Sequence, residues 1–245
     1  MLSVHLGGYG VAVDDLPGPV VNLLNVIGVP WPYVNEDTVM QFAGMTRDFG
    51  TAVTTTHQDA TEAIHGIAGA YQSAASEKMT SGWANMSSAH VNEIVAGCEV
   101  LATALEVAAG YIVAQKVEAI GTLIGMAATF VADQAAAVAT FGLAEAAVPV
   151  IIEAAENLVK SLVMDLQQHI LSEVIEKAAK PLFAKVEAAL KGLDWSQAGG
   201  TASAPTGFSL DVATVQKHTA ALRTHADTLR SHGANFTQNL QGQSF

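Results

Sequence analysis

Thr80-Ser81-Gly82-Trp83-Ala84-Asn85 separates two long stretches of helical spacing, and its reading decides the fold. Gly82 and Asn85 are residue types that take positive φ readily, and Ser87 or Ser88 stands where a following helix would be capped, so the segment predicts a turn. Upstream, Val39, Phe42, Thr46, Phe49, Val53, Thr56, Ala60, Ala63, Ile67 and Ala70 alternate steps of three and four, the seam of a helix packed along its length on another. Asn35 precedes Glu36 and Asp37, an N-cap followed by acids that complement the helix dipole, so this arm starts there. With no proline after Pro32 it is expected to reach about Lys78, roughly 60 Å at 1.5 Å per residue. A second arm is expected from about Ala89, along Val91, Ile94, Val95, Cys98, Leu101, Leu105, Ala108, Ile112, Val117, Ile120 and Ile124. The two arms make a long helical hairpin.

Composition agrees with an all-α fold. Half of the 245 residues are apolar, 14% are charged and 6% aromatic, and alanine dominates the middle of the chain, a balance that favours close-packed helices over strands. The net charge of −12 opposes the counterion-release attraction to nucleic acid, which is excluded as a partner class. The single cysteine, Cys98, forms no intramolecular disulfide and reads as a small buried residue. The opening Met1-Leu2-Ser3-Val4-His5 lacks the basic start and apolar core of a secretory signal peptide, which leaves the cytosol or an export route that reads a folded signal.

Outward from the hairpin, residues 1–34 hold four of the seven prolines and read as an extended or short-helical lead-in. The module itself is expected over 35–192. Across 119–152 only Asp133 and Glu145 are charged. Its uncharged pieces fall short of the roughly 18 apolar residues that cross a bilayer, so the default reading is a helix hidden in a bundle. The sharper reading is a membrane-inserting segment that forms a channel or translocation path through 119–152, with Ile120, Ile124, Phe130 and Asp133 as its membrane-active residues, Asp133 costing about 2.5 to 3.5 kcal/mol on insertion. Phe141-Gly142 and Pro149 predict an end or kink, Pro181 another. Residues 193–207, rich in Gly, Ala, Ser and Thr, form the clearest linker. Within 208–245, Asp211 caps a last helix where Val215, Leu222, Leu229 and Phe236 recur every seven residues, with His218, His225 and His232 offset by three. The expected architecture is therefore a long helical hairpin extended into an elongated helical bundle, with a separate C-terminal helix.

No set of residues for catalysis stands out. The C-terminal histidines lie about 10.5 Å apart along a helix axis and cannot share one ion, and His57 and His65 are too far apart as well, so no metal site is assigned. There is no Gly-x-Ser-x-Gly elbow, no phosphate-cradling glycine loop and no paired Cys and His. The chain is expected to be neither an enzyme nor a cofactor carrier.

Trp31-Pro32 before a capped long helix, then Ser81-Gly82-Trp83-Ala84-Asn85 between two arms, resembles the Trp-x-Gly (WXG, Esx-type) family exported by actinobacterial type VII secretion. The Ala-rich extension is similar to the N-terminal WXG-like domain of secreted polymorphic toxins. Asn85 stands where that family has glycine. The resemblance implies a turn role for Gly82, Trp83 and Asn85, and a helix-pairing seam of Phe42, Phe49, Val53, Ile64 and Ile67. It implies pairing with a small Esx-type protein or with a second copy, recognition by the secretion machinery, and a secreted protein made in the bacterial cytoplasm. The family's Tyr-x-x-x-Asp/Glu signal fails at Tyr111, where Gln115 stands four residues on, and Tyr33 to Asp37 fits it ahead of the first arm. The missing signal would come from the partner. The segment from Phe208 resembles helices that precede a toxin domain, so the chain is expected to be part of a longer effector or a carrier without one.

Overall fold

A computed structural model describes residues 15–139, 148–192 and 209–243. The expected linker and the Phe141-Gly142 break lie outside the described residues. The fold is all-α: α1 (Gly18–Ile27), α2 (Glu36–Ala70), α3 (Ala74–Met86), α4 (Asn92–Ala139), α5 (Val148–His169), α6 (Lys180–Gly192) and α7 (Val212–Gln241). Two-residue strands β1 (Tyr71–Gln72) and β2 (Ser209–Leu210) pair antiparallel. The chain resolves into two compact units. Of the described residues, one comprises 15–41, 105–139 and 148–174, the other 42–104, 175–192 and 209–243.

In the first unit, α1 buries Val20, Leu23 and Leu24, one helical face, and packs on α5. Gly28 ends α1 in the left-handed conformation (φ 69°), its N–H donating to the Leu24 carbonyl. Asn35 Oδ1 accepts from the Thr38 N–H at 3.0 Å and so starts α2, as its sequence predicts. The apolar stripe of α4 is buried at Leu105, Ala108, Ile112, Ala119, Leu123 and Ala127. In the same phase lies Lys116, fully buried, with Nζ 2.9 Å from Glu36 Oε2 and 2.6 Å from the Val34 carbonyl. A buried ammonium is tolerable only with partners of this kind. α5 buries Ala155, Val159, Leu162 and Leu166, and places His169 against Tyr111, ring centroids 3.8 Å apart and 12° from parallel.

In the second unit the first arm ends earlier than its apolar spacing predicts. α2 stops at Ala70 and not near Lys78, Tyr71 and Gln72 are extended, and Ser73 caps α3. Ser73 Oγ accepts from the Ser76 N–H at 3.2 Å while Ser76 Oγ accepts from the Ser73 N–H at 3.1 Å, a reciprocal capping box. The segment read as the turn is helical: Ser81 to Asn85 lie inside α3, and Gly82 does not take positive φ. A glycine and an asparagine cost a helix only about 1 kcal/mol or less each, whereas the serine pair satisfies two N–H groups that a helix start leaves open, so the chain reverses there. Ser87 is also no N-cap, because Ser87–Val91 are π-wound and carry α3 into α4 without a break.

α2 and its returning partner are antiparallel. Arg47 meets Glu99 through Nε–Oε2 at 3.0 Å, Gly50 lies under Cys98, and Thr61 meets Trp83. Leu182 of α6 presses on Gly97, where an added methyl would meet its Cδ1 at 2.6 Å. A second π-wound stretch, Ile170–Ala179, runs directly into α6, whose second residue is Pro181. Proline makes no i→i−4 bond, and the wider winding falls where that bond is lost. α7 starts at Asp211, whose carboxylate accepts from the Thr214 N–H, and it packs along α2.

Candidate functional site

The residues singled out by sequence fall into three places, and the structure treats each differently. Trp83 sits in the last turn of α3 with its indole on the imidazole of His57 from α2, centroids 4.9 Å apart and 17° from parallel. Its Nε1–H donates to Thr61 Oγ1 at 2.8 Å, and that hydroxyl in turn donates to the His57 carbonyl one turn back, also at 2.8 Å. Ser87, in the π-wound turn, donates to the Trp83 carbonyl at 2.9 Å and lies 2.7 Å from His57 Nε2. Ser87 Oγ and His57 Nε2 thus share a hydrogen bond that either imidazole tautomer can make. Burial pushes the His57 pKa below the usual histidine value. Trp83 is thus a cross-helix fastener between α2 and α3. Gly82 and Asn85 are exposed on α3, one on either side of it in sequence.

The second place is the seam of α2. Val53, Ile64 and Ile67 are buried. Phe42 and Phe49 are half-buried and meet Phe236 of α7, ring centroids 6.3 and 5.1 Å away. The seam is covered by this chain's own helices. Thr46 and Thr54 enter it at low cost because their hydroxyls donate to carbonyls one turn back, Phe42 and Gly50.

The third place is the outer side of α4. Val107, Val117, Ile124 and Val131 are exposed by 44–61% while Leu123 and Ala127 are buried. Ile120 and Phe130 are half-buried, and Asp133 buries an Oδ2 that has no hydrogen-bond partner among the described residues. Over Asn92–Ala135 this helix is long and apolar enough to cross a membrane.

Two features escape a sequence reading confined to motifs. Lys116 follows Ile112 by four residues and precedes Ala119 by three, so its phase marked it as buried. Ser73-x-x-Ser76 is a capping pair in plain view. The three partners around Trp83, His57, Thr61 and Ser87, by contrast, depend on where the chain reverses. Cys98 is buried as expected, and burial raises its thiol pKa. Among the described residues no three His, Cys, Asp or Glu side chains converge on one point.

No curated protein and no solved structure matches the chain. The sequence model of the family described as "WXG100 like domain" matches residues 12–156, more than half of the chain and the whole of α1 to α4. This protein therefore belongs to the WXG100-like family of helical proteins related to type VII secretion.

Proposed function

We propose that the chain is a non-catalytic helical module of a type VII secretion substrate, pairing with a small Esx-type partner or a second copy so that it, or a toxin fused to it, is exported. The family match over residues 12–156 carries this reading. WXG100 proteins typically pair with other WXG or Esx proteins. The hairpin supports such a role physically, since it offers long apolar helix faces instead of converging functional groups. In this reading 35–192 is the export module, entered through 1–34, and 193–207 tethers the C-terminal segment 208–245. The test is the amount of the protein in culture supernatant from a producing strain with and without its secretion ATPase. Loss of the extracellular protein on deletion is expected, and unchanged release would overturn the proposal.

The exposed valines and Ile124 on α4 favour a second reading, in which that helix inserts into membrane. Dye release from liposomes that Ile124→Lys abolishes would select it, and none at micromolar protein would remove it.

A further inference from the structure

The α2 face expected to receive a partner already holds a helix, and it holds it loosely. α7 runs antiparallel to α2. The Asp211 N–H donates to the Ala70 carbonyl at 2.9 Å, Leu210 pairs with Tyr71, the His218 imidazole lies directly on Gly66, and Phe236 reaches Phe49 and Phe42. The N-terminal end is anchored by backbone bonds. Beyond that end, α7 buries none of its residues, although a helix packed for good normally buries one full face. Leu229, on the same heptad line as Leu222 and Phe236, is 42% exposed. Every second contact position on α7 is an imidazole, His218, His225 or His232, where a permanent seam would carry aliphatic side chains. Near Phe236 the two helices part around a groove lined by Met45, Asp48, Ala52, His232 and Asn239.

Charge follows the same division. α7 carries Lys217, Arg223 and Arg230 against Asp227 alone, in a chain of net charge −12. The length of α2 that it covers carries Asp48, Asp59 and Glu62 against Arg47. α7 also lies beyond the residues that define the family.

We infer that the α2 face under α7 is an exchangeable helix-binding surface, and that α7 is a resident competitor displaced by an amphipathic helix of the secretion partner with apolar side chains at three- and four-residue spacing and basic flanks. The inference rests on the pairing proposed above and deepens it: the partner would have to displace α7 before it could dock. The apolar spacing matches Phe42, Phe49 and the neighbouring turns, and the basic flanks match Asp48, Asp59 and Glu62.

Exchange is testable on the full chain without any secretion machinery, so its failure and a failure of export are separate results. The probe is a fluorescein-labelled synthetic peptide of residues 209–243, the chain's own α7. Against the Phe236→Asp chain, whose resident helix is weakened, the peptide is expected to bind at least tenfold tighter than against the wild type. Against the Phe49→Asp, Phe236→Asp chain it is expected not to bind. Equal binding to all three chains, or binding to none, overturns the inference. A second measurement needs no variant: in the wild-type chain, amide hydrogens of α7 are expected to exchange at least a hundredfold faster than those of α4. Equal protection of the two helices overturns the inference independently.

Discussion

Within one compact unit α2 has two antiparallel neighbours, and different physics holds each of them. Against α3 it presents a stack of imidazole on indole, a Trp–Thr hydrogen bond and the His57 imidazole bonded to Ser87, with Cys98, Leu101 and Ala102 buried just beyond in α4. Against α7 it presents half-buried aromatics and a glycine, with no residue of α7 buried. A polar network with every member satisfied specifies one register and resists opening, whereas a shallow seam costs little to open. The exposed Arg47–Glu99 pair adds little to either side, about 1 kcal/mol at most. One neighbour is part of the fold, and the other is laid upon it.

The largest effect belongs to the other compact unit, where the arms of the hairpin meet at Lys116 and Glu36. Lys116→Met leaves the Glu36 carboxylate buried without its ammonium, and the cost is expected to be about 3 to 5 kcal/mol in urea unfolding. Adding Glu36→Leu is expected to recover most of it, because a buried ion pair and an apolar pair of similar volume differ far less than either differs from a broken pair. A double variant as unstable as the single one would mean that the pair specifies register as well as balancing charge.

Next comes the fastener. Trp83→Ala is expected to cost about 2 to 3 kcal/mol, below the range for a fully buried tryptophan because the ring is half-exposed. Trp83→Phe keeps a ring on His57 and gives up only the bond to Thr61, about 1 kcal/mol. Equal losses for the two variants would show the hydrogen bond, not the stack, to be the fastening element. Either loss would separate this neighbour of α2 from α7.

These residues also show what sequence alone could deliver. The periods of three and four along α2 and α4 predict the helices, and Asn35 and Asp211 predict two helix starts, whereas the buried Lys116, in phase with Ile112 and Ala119, lies outside what the motifs point to. The reversal does not fall at Gly82 and Asn85, because a helix tolerates both residues. The Ser73–Ser76 box outweighed them by satisfying N–H groups that would otherwise lack partners. Trp83 therefore lies within a continuous run of helix and not at the reversal. The identity of its neighbours His57, Thr61 and Ser87 follows only once the reversal is placed at Tyr71–Ser73. The division of the α2 seam between the chain's own helices was beyond reach for a different reason: spacing shows that a helix face is apolar, not which helix covers it.

The smallest effect tests the looser neighbour. The Thr214 hydroxyl, then the Thr214 backbone N–H, hold the Asp211 carboxyl below the usual carboxylate range, against a weaker opposing effect of desolvation. A carboxylate with a lowered folded pKa supports its helix fully above the ordinary value of about 3.9, and that support is lost as pH falls through the lowered value. Titration to low pH, followed by carbon chemical shifts of residues 212–216, is therefore expected to show the first turn of α7 fraying before α2 does. Asp211→Asn keeps an acceptor for the Thr214 N–H and is expected to flatten that pH dependence, while Asp211→Ala frays the turn at neutral pH. Because no residue of α7 is fully buried, the urea midpoint of the chain is expected to stay put in both variants. A midpoint that falls together with the fraying would mean that α7 is as integral to the unit as α3, and the distinction between the two neighbours of α2 would be lost.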